Sequence, residues 1–167
     1  EENNFTANVT INGLSSKTYT INNGDTWDSF VIDGDNITIT KIGDLYTPMT
    51  MRRTITTTDG EQYVIRYKCE VLSRLPKADN RIYYVGSLQT NTVFGTNAEY
   101  VGSGSIGGGC YYFEYDRPII WLIDDYGKGD NVERLGLPSS LLYIRNLCFK
   151  DCKVLEEIDF GGNEKHI

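Results

Sequence analysis

Apolar and polar residues alternate with a period of two through most of residues 5–75. Phe5, Ala7, Val9 and Ile11 fall on one side of such a strand, with Thr6, Asn8 and Thr10 on the other. This is the spacing of a half-buried β-strand, not of a helix. Further runs of the same kind cover residues 18–21, 30–32, 37–42, 49–58 and 62–67. Turn-forming residues separate them: Asn12-Gly13, Asn22-Asn23-Gly24-Asp25, Asp33-Gly34-Asp35-Asn36 and Asp59-Gly60. Asx-Gly between alternating runs predicts tight hairpins, because both residues tolerate positive φ. Turns at roughly 8–12-residue intervals predict a small antiparallel sandwich or meander over residues 1–75. Thr26-Trp27-Asp28-Ser29-Phe30 admits a short helical turn capped by Asp25 or Thr26, and Trp27 reads as a core anchor.

A polar stretch with a proline, residues 72–80, marks the best boundary between two parts. Beyond it the pattern changes. Ile82-Tyr83-Tyr84-Val85 and Tyr111-Tyr112-Phe113-Glu114-Tyr115 read as strands, and residues 102–109 read as a glycine-rich hairpin turn. That turn lacks the lysine-serine pair and the following helix that a phosphate-cradling loop needs. From Val132 to Phe160 the chain maps onto itself at a shift of 23 residues. Val132 falls on Leu155, Leu135 on Ile158, Leu137 on Phe160 and Ile144 on Ile167. With a slip of one residue, Phe113, Tyr115 and Leu122 take the places of Leu135, Leu137 and Ile144, as in a degenerate first turn. A fixed period of ~20–29 residues with L-x-x-L-x-L spacing is the pattern of a leucine-rich solenoid, in which each short strand is covered by the next coil. The register places Leu135, Leu137, Ile144, Phe149, Leu155 and Ile158 in one core.

The unit Leu135-x-Leu137-Pro138-Ser139-Ser140-Leu141-x-x-Ile144, continuing through Cys148-Phe149, Cys152, Leu155 and Ile158, resembles the BspA-type leucine-rich repeat of Bacteroides-like cell-surface proteins. Pro138, Ile144, Phe149 and Cys152 match its pattern, whereas Arg145 and Cys148 stand where glycine and alanine are usual. Asn80-x-Ile82-Tyr83-Tyr84, Phe94-Gly95 and Phe113-x-Tyr115-Asp116-x-Pro118 resemble the lead-in to such repeats. The resemblance spans residues 80–167. It implies a mainly β chain in which residues 76–167 comprise lead-in strands plus one to two leucine-rich turns, a short capped segment. It also implies an exported protein at the cell surface or outer membrane. Its partner would be a host protein, matrix or glycan, and a lipid anchor upstream is an option. The polar Glu1-Glu2-Asn3-Asn4 is read as the start of a trimmed, mature chain. Residue 167 falls in the middle of a repeat.

Composition narrows the functions. The formal net charge of −7, with no basic run, argues against nucleic acid and against charge-driven binding to anionic lipid. The longest apolar run, residues 119–123, is far short of a membrane span. His166 is the only histidine, which leaves a histidine-dependent nucleophile without a framed partner. Asp124-Asp125 and Glu156-Glu157 are adjacent in sequence, not set across a cleft as glycoside hydrolysis requires. No catalytic residues, metal site or cofactor are therefore expected. Of the four cysteines, Cys148 and Cys152 read as small buried groups. Cys69 and Cys110 read either as a bridge or as free thiols. The sharper positive expectation is binding. Residues between the apolar positions of the repeat strands point outward, namely Tyr112 and Glu114, then Arg134 and Gly136, then Glu157 and Asp159. They would form a small, mostly acidic face. A structural lipoprotein domain with no ligand of its own is the alternative, and a carbohydrate-active or peptide hydrolase comes third.

Overall fold

The computed structural model describes residues 5–22, 27–87, 94–123, 131–144 and 155–159. Strand makes up 59% of these and no α-helix is present among them, so the chain is mainly β. It divides into two compact units, Glu1–Ser73 and Arg74–Ile167.

The first unit contains six strands: β1 (Thr6–Thr10), β2 (Tyr19–Ile21), β3 (Asp28–Asp33), β4 (Asn36–Lys41), β5 (Met49–Thr57) and β6 (Gln62–Cys69). They form two antiparallel sheets, ordered β1-β4-β3 and β2-β5-β6. The alternation read from the sequence directs Ile37 and Ile39 from one sheet and Ile55 and Ile65 from the other into a shared core. Asp33-Gly34 closes the β3–β4 hairpin and Asp59-Gly60 the β5–β6 hairpin, with Gly34 at φ 64° and Gly60 at φ 93°. Asn12-Gly13 makes no hairpin. β1 pairs with β4, and β2 pairs with β5 in the other sheet. The Asp35 carboxylate accepts hydrogen bonds from the Gly13 N–H at 3.0 Å and the Ser15 N–H at 2.7 Å, which turns the chain into a short 3-10 helix, Leu14–Ser16, that crosses between sheets. Asp28, Ser29 and Phe30 likewise extend as β3 instead of forming a helical turn. Asp28 is held there by Arg53 and Tyr67, both of which bond to its carboxylate. Trp27 is buried with Leu45, Met51 and Cys69.

The second unit contains β7 (Arg81–Ser87), β8 (Gly95–Thr96), β9 (Tyr100–Gly107), β10 (Cys110–Tyr115), β11 (Trp121–Ile123), β12 (Asn131–Gly136), β13 (Tyr143–Ile144) and β14 (Glu157–Asp159). A five-stranded sheet has the order β14-β12-β7-β10-β9, and a smaller one the order β13-β11-β8. Residues 102–105, expected as part of a turn, belong to β9. The β9–β10 turn is confined to Gly107–Gly109, all at positive φ. β10 is not the neighbour of β12, because β7 lies between them and is antiparallel to both. Phe113 and Tyr115 therefore do not occupy the strand position beside Leu135 and Leu137.

Beyond β7 the pairing becomes parallel. Arg134, Leu135 and Gly136 lie opposite Glu157, Ile158 and Asp159, and Trp121 and Leu122 lie opposite Tyr143 and Ile144. The chain thus passes alternately through the two sheets, and each strand meets its parallel partner 22 or 23 residues later. Strict alternation would send Val132 and Leu135 to opposite faces. Both are buried in the same core, with Ile82, Phe113 and Leu137. The reason is a β-bulge: Val132 pairs with Gly86 but Arg134 with Val85, which leaves Glu133 as the extra residue. Gly86 is obligatory there, since φ is 117° and an added Cβ would lie 2.9 Å from the Val132 Cα.

A paired-charge face on the five-stranded sheet

Strand registers define the two faces of the large sheet. Phe113, Ile82 and Leu135 face the core. On the opposite face, β10 contributes Tyr112 and Glu114, β12 contributes Arg134 and Gly136, and β14 contributes Glu157 and Asp159. All of the outward positions expected from sequence thus share one face. β7 adds Arg81 and Tyr83 between them, because Arg81 pairs with Glu114 and Tyr83 with both Tyr112 and Gly136.

The side chains form two linked groups. Arg81 donates from Nε and Nη2 to Glu114 Oε1 at 3.1 and 2.8 Å, and from Nη1 to the Tyr83 hydroxyl at 3.1 Å. Its guanidinium lies 4.1 Å from the centroid of Tyr112. The arginine pKa is raised, chiefly by the Tyr83 hydrogen bond. Tyr112 also touches Gly104 of β9, where an added Cβ would meet the phenolic oxygen at 2.5 Å. One side of the Tyr112 ring is thereby occupied by Arg81. In the second group Arg134 donates to Glu157 Oε2 at 3.2 Å, and Lys77 pairs with Asp159 at 3.0 Å.

Two expectations are corrected. The face is not mostly acidic, because Glu114, Glu157 and Asp159 are matched by Arg81, Arg134 and Lys77. Arg134 is not an outward contact group; it is only 7% exposed. Val85 and Cys110 on the same face are buried too, and positive charge from Arg134 reaches the thiol. Part of the cover comes from the chain itself. An added Cβ on Gly136 would meet Leu75 Cβ at 3.1 Å and the Pro76 carbonyl at 3.2 Å, so residues 75–76 lie directly on β12. Glu157 is the most accessible of these charges, its side chain 46% exposed, followed by Glu114 at 35% and Arg81 at 31%.

Sequence reading missed Arg81 and Lys77, and it named Tyr83 as an aromatic without placing it on this face. The Arg81-x-Tyr83 alternation complements Tyr112-x-Glu114 across a strand pair, and that complementarity was the available signal. The Cys69–Cys110 bridge is absent. Both are free and buried, Cys69 against Trp27 and Met51 in the first unit and Cys110 in the second unit's large sheet. Cys148, Phe149, Cys152, Asp124, Asp125 and His166 lie outside the described residues. Among the described residues no three His, Cys, Asp or Glu side chains are grouped to hold a metal ion, and no helix is long and apolar enough to cross a membrane. No protein-family model, curated protein or solved structure matches the chain.

Proposed function

We propose that the second unit is a short, capped leucine-rich segment of the BspA type. In this reading the chain is an exported, non-catalytic protein that binds a host protein, matrix component or glycan at the cell surface. The observation that carries the reading is the parallel pairing of β12 with β14, in which Leu135 faces Ile158 and Gly136 faces Asp159 at an offset of 23 residues. Coils stacked at a constant offset leave one row of outward side chains per coil, and such rows commonly serve as recognition surfaces. On this chain the coil strand β14 presents Glu157, and Glu114 joins it on the same face from β10. Arg134 positions Glu157, and Arg81 and Tyr112 position Glu114.

Arrays of matrix proteins and glycans, probed with the intact chain and with the Glu114→Arg/Glu157→Arg double variant, test this. The expected result is a specific partner whose affinity falls at least about tenfold in the variant, a loss of ~1.4 kcal/mol, with the β fold retained by circular dichroism at the assay temperature although the lost ion pairs lower the melting temperature. A blank array, or binding indifferent to both reversals, overturns the reading.

A second reading is a structural domain that packs against neighbouring modules without a ligand. The pairing of Glu114, Glu157 and Asp159 with cations from the same face favours it, since satisfied surface ion pairs offer a partner little uncompensated charge.

A further inference from the structure

The β2-β5-β6 sheet of the first unit carries two like charges side by side on its outer face. Arg53 and Ile65 are buried on the inner face, so alternation turns Arg52 and Arg66 outward, and both are exposed. They lie directly opposite each other across β5 and β6, which sets their Cβ atoms about 5 Å apart. Lys68 is two residues further along β6 on the same face, opposite Thr50. The other outward positions are Thr20, Thr54, Thr56, Gln62 and Val64, so no carboxylate lies among the described outward residues of these strands.

Like charges directly opposite on a sheet are destabilising. Nothing in the chain offsets this cost, because among the described residues neither arginine has a hydrogen-bond, ion-pair or ring partner. The other cations of residues 1–73 are all engaged: Lys17 by Asp59 and Glu61, Arg53 by Asp28, Lys41 by the Ser73 hydroxyl and Lys68 by Glu70. Residues 1–73 hold ten carboxylates and six cations, so Arg52 and Arg66 lack partners by placement, not by scarcity of acid.

We propose that Arg52 and Arg66 together clamp a sulfate ester of an acidic polysaccharide, with Lys68 at its margin. The anion class follows from the number of guanidinium forks. A carboxylate has two oxygens, and a single fork engages both. A sulfate ester keeps three terminal oxygens and can accept from two forks at once. The carrier follows from the rest of the face. Thr50 and Thr54 flank Arg52 along β5 and offer hydroxyls to sugar hydroxyls, whereas Val64 is the sole apolar outward residue and no aromatic anchor for a peptide partner is present among these positions. Three cations on a chain of net charge −7 are too few to hold nucleic acid or an anionic membrane. The inference rests on the reading of the chain as an exported binding protein, but its site lies in the first unit and uses neither Glu114 nor Glu157.

Calorimetry on the intact chain at low salt tests this with heparin and chondroitin 4-sulfate hexasaccharides, their desulfated counterparts and a hexaglutamate peptide. At least one sulfated probe should bind, and the desulfated sugars and the peptide should bind at least about tenfold more weakly, ~1.4 kcal/mol. Arg52→Gln and Arg66→Gln should each lower affinity about tenfold. Arg117→Gln, an equal loss of charge in the second unit, should leave it unchanged, as should Glu114→Gln/Glu157→Gln. Arg66→Glu converts the opposed pair into an ion pair, so it should abolish binding and raise the melting temperature. Absence of sulfated-sugar binding, equal binding of the desulfated sugars, or affinity indifferent to both glutamine variants overturns the proposal. So does tighter binding of hexaglutamate, which would make the partner an acidic peptide, and so does a lower melting temperature in Arg66→Glu, which removes the like-charge cost. A matrix partner lost in Glu114→Arg/Glu157→Arg, with no sulfated sugar bound, refutes this site and keeps the second-unit reading. Sulfated-sugar binding that needs Arg52 and Arg66 and ignores Glu114 and Glu157 does the reverse.

Discussion

Leu135→Ala tests the second unit most directly. Leu135 is 1% exposed, pairs with Tyr84 on β7 and Ile158 on β14, and packs among Ile82, Phe113 and Leu137. Truncating a fully buried leucine removes its transfer free energy and leaves a cavity, typically costing about 2–5 kcal/mol. The upper half of that range applies here, because hydrogen-bonded strands on both sides of β12 resist collapse into the void. For a unit of this size each kcal/mol lowers the melting temperature by roughly 4–8 °C, so a fall of at least about 14 °C is expected. Trp27 and Trp121 lie one in each unit. In a Trp27→Phe background, the fluorescence of Trp121 reports the second unit alone during urea unfolding. Ile158→Ala, at a partly buried position, should cost less. If the two side chains touch across the parallel pair, the double variant should deviate from additivity by at least about 0.5 kcal/mol. A Leu135→Ala loss below about 1 kcal/mol refutes the burial, and strict additivity refutes the 23-residue register.

Three further outcomes follow from the same structure. Asp28→Asn removes one partner of a buried ion pair with Arg53 and should destabilise the first unit by about 3–5 kcal/mol; Tyr67→Phe, which deletes the hydroxyl bridging both groups, should cost about 1–3 kcal/mol; equal and negligible losses in denaturant melts would refute the network. Asp59 is lowered to about 2 by its Thr57 hydrogen bond and then by Lys17, and Glu61 is lowered chiefly by Lys17. Both folded values lie below the unfolded ones, so their stabilisation is present above about pH 5 and disappears as pH falls towards 2. Lys17→Met should flatten this acid dependence, and an unchanged melting profile against pH would count against it. Burial pushes the Cys110 thiol up to about 11, with Arg134 opposing only in part; native Cys110 should resist iodoacetamide at pH 8 and react after denaturation, as peptide mapping would reveal, and rapid native labelling would contradict its burial.

The legibility of this chain depends on the range of the interaction. Asp59-Gly60 and Asp33-Gly34 were readable as hairpins because each turn and its two flanking runs are contiguous. Asn12-Gly13 was not, because Asp35 captures the local N–H groups from 20 residues or more away. The offset between Leu135 and Ile158 was readable because it is written as a repeat. The insertion of β7 between β10 and β12 was not, since alternation in residues 81–87 names a face but no neighbour. Within the site, outward positions followed from the period of two, and Tyr112, Glu114, Arg134, Glu157 and Asp159 do share a face. Their pairing did not follow, because Arg81 and Lys77 come from a strand and a connecting segment outside the repeat.

The position of β7 also makes the large sheet directional. On one flank of β12 the neighbour is antiparallel and followed by another antiparallel pair; on the other flank stands β14, parallel and last in the described order. The parallel relation between β12 and β14 has no counterpart on the β7 side, where both neighbours of β7 run antiparallel to it. Among the described strands the parallel pairing in this sheet is therefore confined to the β14 side, and the antiparallel strands occupy the rest of it.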